Sequence, residues 1–378
     1  MDFTFTEEQI MLQEATRRFI ANEASFDIRR KTLEKQSHGF NPAIWQGFAD
    51  LGLLALHMPE AEGGLDGTAT DTLLVMSAMG EGLVLEPYLA SAVLASKAIA
   101  TMGNAQQRAD YLPQLASGAI TAVLAHDEVS TRFDRFNVQT KATPVDGGYL
   151  LSGHKSVVPH GGAADILLVT ARLPDDKLAA FILPKAATGL RVLSYATVDG
   201  VAAAELEFDQ VSVKTSAILA AANDTEVAIG NLLDIGLAAV CAEAIGVLDK
   251  LLAATIDYAK NRKQFGVVIG KFQALQHKMA DMVLHIEQAR SMAYLAAVSC
   301  EEPDLKSRSI ALSSAKVVIG QACRFVGQQA VQLHGGMGVT DELNVSHYFK
   351  RLMAIELQFG STDHHLEMVA GSLTESSA

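Results

Sequence analysis

The C-terminal segment RLMAIELQFGST, Arg351 to Thr362, has the residue density of an active-site turn. Within seven residues it places an acid, an amide, an aromatic ring, a glycine and two hydroxyls. A carboxylate at the centre of such a turn would suit general base catalysis. The central residue is instead Gly360, which has no side chain, so the segment lacks the group that its surroundings favour.

The segment NRKQFG, Asn261 to Gly266, follows a long apolar helical pattern and allows two interpretations. Cations in the last turn followed by a glycine are typical of a helix C-terminus. Alternatively, Arg262 contacts a phosphate, because its planar fork matches phosphate oxygens, while Phe265 packs on a flat ring system.

The segment QLHGGMG, Gln332 to Gly338, directly follows another long helical pattern. It is not a dinucleotide-binding glycine fingerprint, because no strand precedes it. A plain turn explains the glycine pair. The functional interpretation is close approach of the backbone to a ligand that also bonds Gln332.

Other candidate sites are weak. Asp363, His364 and His365 are adjacent on a predicted helix, where neighbours diverge by about 100°, and no third metal ligand is placed. The three cysteines stand far apart without a CxxC pair, so we predict no metal site and no disulfide framework. No serine nucleophile elbow is present.

The composition excludes several function classes. The 378 residues carry a net charge of −13, which argues against nucleic acid or an anionic membrane surface as partner. The N-terminus is acidic, unlike a signal peptide. The apolar stretch from Leu232 to Thr255 is interrupted by charges and is predicted to be a buried helix instead of a membrane span. We therefore expect a cytoplasmic protein with no membrane partner.

Three regions must position these residues. Residues 1–120 have helical periodicity, beginning with a predicted capping box of Thr6 and Gln9. Residues 121–218 contain short alternating segments with a hairpin signal at Asp146-Gly147-Gly148, which predicts an antiparallel β domain. Residues 219–378 contain three long helical patterns that favour a bundle. The predicted fold class is mixed α and β, in the order helical domain, β domain and helical bundle.

The two glycine-containing motifs, about 70 residues apart, and the α–β–α order together resemble the acyl-CoA dehydrogenase family over essentially the whole chain. The resemblance implies a C-terminal four-helix domain and an FAD held between subunits. In that family the RxxFG and QxxGG motifs reach across a dimer interface to the neighbour's FAD. The matching candidate cofactor-binding positions are Arg262, Gln264, Phe265, Gln332, Leu333, Gly335 and Gly336.

The same resemblance shows what is missing. The family's catalytic Tyr-Glu-Gly-Thr turn aligns with Phe359 to Thr362 and places the glutamate on Gly360. The alternative glutamate position of some members falls on Gly236, so no catalytic residue is assigned. Loss of a general base alone reduces the rate by about 10²–10⁴-fold. In the β domain, the family's flavin loop aligns with Asp127 to Asp134, and its Trp-x-Thr segment with Val157 to Pro159, with few matching residue types.

These departures lead to three hypotheses. The leading one is the auxiliary subunit of an α2β2 heteromer acting on an acyl-CoA, with a related catalytic subunit as partner and electron-transfer flavoprotein as the oxidant implied by the family. Bulky substrates such as steroid side chains would fit by analogy. The second is a self-sufficient homotetrameric dehydrogenase whose base is displaced to Glu243 or Asp363. The third is a non-enzymatic acyl-CoA-binding or protein-binding scaffold.

Overall fold

Several of the N-terminal helices begin where a local side chain satisfies a free backbone N–H group. The computed structural model describes residues 5–35, 39–220 and 224–375. The predicted capping box is confirmed: Thr6 Oγ1 accepts from the Gln9 backbone N–H, and Gln9 Oε1 accepts from that of Thr6. Asn104 and Gln107 repeat the arrangement further along. The helices are α1 Glu7–Glu23, α2 Phe26–Lys35, α3 Pro42–Asp50, α4 Ala69–Gly82, α5 Ser96–Met102 and α6 Ala105–Ala116, with the π-helical segment Tyr88–Ala95 leading directly into α5.

The middle region forms one sheet. Its strands are β1 Ala122–Ala125, β2 Lys141–Val145, β3 Gly148–Pro159, β4 Ile166–Arg172, β5 Leu178–Pro184, β6 Leu190–Ala196, β7 Ala202–Lys214 and β8 Ile218–Ala220. They follow the order β6-β7-β3-β2-β4-β5-β8, and β1 pairs with β4. The predicted hairpin joins β2 to β3, because Val145 pairs with Gly148 and Gly147 adopts a φ of 76° in the loop.

The sheet departs from the predicted purely antiparallel arrangement in two places. Strand β1 pairs with β4 in parallel, and so does the start of β2. The hairpin and loops that separate β1 from β4 in the chain supply a connection long enough for parallel pairing. The remaining ladders are antiparallel, so the sheet is mixed.

The C-terminal region is helical apart from a short hairpin. The helices are α7 Thr225–Asn261, α8 Gln273–Ser299, α9 Leu305–His334, α10 Asn344–Leu357 and α11 Thr362–Glu375, and the hairpin strands are β9 Lys263–Gln264 and β10 Val267–Val268. Helices α8, α10 and α11 pack along α9. Helix α7 crosses α4 closely: a Cβ at Gly246 would lie 1.9 Å from the Ser77 carbonyl oxygen.

The chain divides into two compact units. One comprises Met1–Arg30, Ala69–Val84 and Leu237–Ala378, and the other comprises Lys31–Thr68 and Leu85–Gly236. The three-domain division by sequence, residues 1–120, 121–218 and 219–378, stays a prediction. The segments Thr225–Asn261 and Leu305–Val339 are long and apolar enough to cross a membrane, but 89% and 61% of their most apolar windows are buried. Burial in a helical core accounts for that apolarity.

Candidate functional site

The first candidate turn, Arg262–Gly266, lies where α7 ends. Strands β9 and β10 pair around a loop in which Phe265 and Gly266 have φ values of 53° and 82°. The Ile269 backbone N–H donates to the Arg262 carbonyl oxygen at 2.8 Å and closes the hairpin. A positive φ is rare for a bulky residue and indicates a constrained loop. The loop presents the Phe265 ring with 89% of its surface exposed, and the Arg262 side chain is exposed as well.

The second candidate turn, Gln332–Gly336, ends α9. Gly335 has a φ of 60°, and its N–H donates to the Gln332 carbonyl oxygen. A Cβ at Gly335 or Gly336 would meet no described atom within 4 Å, so the backbone lies open to approach. Gln332 is exposed, whereas the Leu333 side chain is buried and only its backbone can face a ligand.

The structure brings these two turns to the same end of the helical unit. The Tyr258 ring, one helical turn before Arg262, stacks on the His334 ring with centroids 4.3 Å apart. We call the segments Arg262–Gly266 and Gln332–Gly336 the open turns. Their exposed cation, aromatic ring, amide and bare glycine backbone form a surface that could contact the phosphates and ring system of a ligand approaching from outside.

The segment Glu356–Thr362, which we call the closed turn, has the opposite character. Gly360 has a φ of 113°, and a Cβ there would lie 2.5 Å from His365 Nε2 and 2.9 Å from His364 Cδ2. Contacts below 3.0 Å are essentially never made by real Cβ atoms. The place where the family's glutamate would begin is therefore filled by two histidine rings from the first turn of α11.

Buried polar groups hold the closed turn. The fully buried Lys316 Nζ donates to the carbonyl oxygens of Glu356 and Gly360 at 2.8 and 2.7 Å. The Glu356 carboxylate accepts from the Thr362 backbone N–H at 3.0 Å and from Arg324 Nη2 at 2.9 Å. Burial raises the pKa of Glu356, but these hydrogen bonds and the Arg324 charge outweigh it and leave that pKa below its ordinary value.

His365 completes the closed turn from the other side. Its Nδ1 hydrogen-bonds the Ser313 hydroxyl at 3.1 Å, and its Nε2 bonds the Phe359 carbonyl oxygen at 2.9 Å. The ring is 2% exposed. Within the described ranges, no group of three or more His, Cys, Asp or Glu side chains could hold a metal ion.

Neither acid proposed as a displaced base is placed as a free base: Glu243 is in a buried ion pair, and Asp363 is exposed. Glu243 forms a buried bidentate ion pair with Arg351, with Nε–Oε1 and Nη2–Oε2 distances of 2.5 and 2.6 Å. Asp363 is exposed in the first turn of α11, where a negative charge favours the helix N-terminus. Asp234, near the alternative base position in the sequence but not proposed as a base, pairs with Arg135 at 2.5 Å. Gly236 is buried within α7.

In the β sheet, the carboxylate of Glu128, in the segment aligned with the flavin loop, is hydrogen-bonded within the chain. Its carboxylate accepts from Lys155 Nζ at 2.7 Å, from the Thr140 hydroxyl at 2.7 Å and from the Gln139 backbone N–H at 2.8 Å. Burial lowers the pKa of the fully buried Lys155 to about 8. This ion pair anchors the loop to β3.

The segment aligned with the flavin-covering Trp-x-Thr contains a strained residue. Val157 has a φ of 50° at an irregularity in the pairing of β3 with β7. Its N–H donates to Glu205 Oε1 at 3.1 Å, and that oxygen also accepts from the Tyr195 hydroxyl at 2.6 Å. His154 Nε2 lies 3.2 Å from Glu205 Oε2. The Val157 N–H is thus already bonded within the chain, to the Glu205 carboxylate.

Nothing in the sequence predicted that Lys155, Lys316, Glu205 and His365 would organise the two regions. Two of them carry a weak signal, because a lysine is almost never fully buried unless it is paired. Periodicity places Lys316 within the apolar pattern of α9, between Ala315 and Val317. Its partners at Glu356 and Gly360 are 40 or more residues away and have no sequence signature.

Family models match three successive ranges of the chain. They describe the acyl-CoA dehydrogenase N-terminal domain at residues 6–119, the middle domain at residues 124–211 and the C-terminal domain at residues 225–374. The predicted fold class is thereby confirmed, with a helical part and a mixed sheet.

Individual proteins are similar along their whole length. The probable acyl-CoA dehydrogenase YngJ of Bacillus subtilis is 28% identical over 385 residues, covering 99% of this chain and 100% of YngJ. A chain of the ChsE4-ChsE5 complex from Mycobacterium tuberculosis is 26% identical, with a TM-score of 0.88 and 99% of both chains covered. A variant of the Tcur3481-Tcur3483 steroid ACAD is 29% identical, with a TM-score of 0.88 and 98% and 99% covered.

Proposed function

We propose that this chain, which belongs to the acyl-CoA dehydrogenase family, is the auxiliary subunit of a heteromeric dehydrogenase. Family members carry out FAD-dependent dehydrogenation of acyl-CoA thioesters. A related catalytic subunit supplies the base, the flavin-holding sheet and the acyl pocket. This chain supplies the open turns, which complete the partner's FAD site.

The observation that carries the proposal is the contrast between the closed turn and the open turns. The position of the family's base, Gly360, has no side chain and no room for one. Both glycines of the Gln332–Gly336 turn are open, and Arg262 and Phe265 are exposed. A chain that has lost its base while keeping an exposed cofactor-facing surface fits a role in another subunit's site.

The residues of the open turns fit FAD. Arg262 suits a phosphate of the cofactor, Phe265 offers a flat face, and Gln332 offers an amide to a polar edge. Gly335 and Gly336 allow the backbone to approach, because neither presents a side chain. FAD bound in the partner would accept the hydride that leaves C3 of the acyl group.

The chain's own sheet fits FAD poorly. Glu128 is saturated by buried donors, and the Val157 N–H is occupied by Glu205. Glu205 also keeps its pKa low through the hydrogen bonds that it accepts, which outweigh its burial, so it remains a carboxylate near neutral pH. A fixed negative charge at this edge disfavours an anionic dinucleotide. We therefore assign the cofactor to the partner's sheet.

The partner is proposed to be a related acyl-CoA dehydrogenase chain in an α2β2 assembly. The ChsE4-ChsE5 complex, whose chain this one resembles, contains two different proteins. A bulky acyl-CoA, such as a steroid-side-chain ester, is the proposed substrate, in line with the similar steroid ACAD. Electron-transfer flavoprotein is the proposed oxidant, and the cytoplasm the proposed location.

The test is the visible absorbance of the chain purified alone and co-expressed with a related acyl-CoA dehydrogenase chain that carries the catalytic glutamate. We expect a colourless protein alone and a yellow, FAD-containing complex with the partner. In the complex, Arg262→Ala should reduce FAD content, whereas Lys260→Ala, exposed on α7 outside the open turns, should not. A chain that carries one flavin and turns over acyl-CoA on its own would overturn the proposal.

A further inference from the structure

Tyr258, on the last turns of α7, contacts both open turns. Its carbonyl oxygen accepts from the Arg262 backbone N–H at 2.8 Å, directly at the start of the hairpin. Its ring stacks on His334 with centroids 4.3 Å apart and planes inclined by 29°. Its hydroxyl lies 3.4 Å from the His334 carbonyl oxygen, in position to donate.

His334 is a fixed partner for this stack. It lies inside the second open turn, between Gln332 and Gly335, and is 4% exposed. Its Nδ1 lies 2.8 Å from the Ala330 carbonyl oxygen, so it donates there and holds the ring plane against α9. A ring held on one side by its own helix and on the other by Tyr258 allows little sliding of α7 against α9.

We propose that Tyr258 is a positioning residue that sets the distance between the two open turns through its stack on His334. The inference rests on the proposed function, because it concerns how two turns on different helices reach one FAD. Arg262 and Gln332 themselves are exposed and have no described side-chain contact with each other. Their spacing is therefore set by the groups beneath them.

The flat ring, more than the hydroxyl, carries this role. The stack is close, whereas the hydroxyl contact of 3.4 Å is at the long end for a hydrogen bond. In enzymes, misplacing a group by about 1 Å can reduce the reaction rate by about 10²-fold, which shows how sensitive such sites are to spacing. Loss of the ring should therefore weaken FAD binding by changing the spacing of the two open turns.

The experiment measures the FAD dissociation constant and the flavin absorption spectrum of the complex with the catalytic partner. Four variants of this chain are compared with the wild type: Tyr258→Phe, Tyr258→Leu, Tyr258→Ala and the exposed neighbour Lys260→Ala. We expect FAD binding within about threefold of wild type for Tyr258→Phe and Lys260→Ala. Tyr258→Ala and Tyr258→Leu should weaken it by about tenfold or more and shift the flavin bands.

Two controls distinguish a positioning role of Tyr258 from a role in folding. They are the conservative variant Tyr258→Phe and the thermal unfolding of each variant chain alone. If Tyr258→Ala fails to fold, comparing FAD binding of Tyr258→Leu with that of Tyr258→Phe still tests the inference, because leucine fills space without a flat ring. Wild-type FAD binding and spectrum in a folded Tyr258→Leu complex would overturn the inference. If Arg262→Ala weakens FAD binding and Tyr258→Leu does not, only this inference fails. If the wild-type complex holds no FAD, the proposed function itself fails.

Discussion

The closed turn and the open turn at Gln332–Gly336 both contain glycine at the end of a helix, and the glycines have opposite roles. At Gly336 a side chain would meet no described atom within 4 Å, so the glycine leaves a free surface. At Gly360 a side chain would overlap His365, and the φ of 113° strains any other residue. A glycine can therefore mark either room for a ligand or the absence of room for its own side chain.

The comparison extends to polar partners. Two carbonyl oxygens and the Glu356 carboxylate of the closed turn are bonded within the chain to Lys316, Thr362 and Arg324. The adjacent His365 imidazole is bonded to Ser313. The open turns instead expose a cation, an amide and an aromatic ring. Buried polar groups require partners, and exposed ones need none until a ligand arrives. The polar groups of the closed turn stabilise the fold, whereas those of the open turns are exposed and suited to binding.

The largest effect is expected at the Glu243–Arg351 pair, next to the closed turn. Glu243→Gln removes one charge of a buried bidentate pair and should lower the free energy of unfolding by about 3–5 kcal/mol, because the buried Arg351 guanidinium loses the charge of Glu243. Urea unfolding of the chain measures this.

Glu287→Gln is the matched control for that variant. Its ion pair with Arg290 is a surface one, and the change should alter stability by less than about 1 kcal/mol. If Glu243→Gln retained full stability but abolished dehydrogenase activity of the chain alone, Glu243 would be a displaced base and the closed turn would not explain the missing glutamate.

Gly360→Ala should lower the free energy of unfolding by about 3 kcal/mol, because it combines a strained φ with overlap of a buried imidazole. For the same reason Gly360→Glu should not create an active enzyme. Thermal unfolding and acyl-CoA turnover check the two variants.

Gly371→Ala, in α11, is the control for the glycine series. A Cβ added there would meet no described atom within 4 Å, so this substitution should be neutral or slightly stabilising. A Gly360→Glu chain that folded normally and gained turnover would show that the turn is open after all.

Glu356→Gln should destabilise the chain by about 1–3 kcal/mol at neutral pH, because a charged acceptor is lost. The folded-state pKa of Glu356 lies below its ordinary value of 4.5. Its stabilisation is therefore fully present above pH 4.5 and is lost as the pH falls through the lower folded value. Urea unfolding between about pH 7 and pH 3 should show a shallower acid loss in Glu356→Gln than in wild type.

Glu367→Gln, exposed on α11, should keep the wild-type pH profile. An unchanged acid loss in Glu356→Gln would mean that its carboxylate does not hold the closed turn.

The smallest effect on stability is expected at Gly336. Gly336→Ala should change the free energy of unfolding by no more than about 0.5 kcal/mol, because the added methyl group meets no described atom. It should nevertheless reduce FAD content of the complex with the catalytic partner, because the methyl group stands where the ligand would approach. Measuring the free energy of unfolding and the FAD content on this one variant sharpens the comparison with Gly360→Ala. Full FAD content would show that no ligand approaches Gly336 closely.

Much of the fold could be predicted from the sequence, because the signals are local. The Thr6 capping box, the Asp146-Gly147 hairpin and the long C-terminal helices follow from neighbouring residues and their periodicity. The parallel pairing of β1 with β4 could not be predicted, because partners such as Ala122 and Ile166 are far apart in the chain and no turn specifies their register.

The sequence by itself determined the order of helices and strands, the two motifs of the open turns and the glycine at position 360. Only the tertiary structure decided that Gly360 has no room for a side chain, that Glu243 is bound to Arg351 over 108 residues, and that Lys316 holds the closed turn from α9. The physical reason is that burial, ion pairing and steric exclusion depend on which distant segments meet, whereas capping, turn formation and periodicity depend on residues within a few positions of one another.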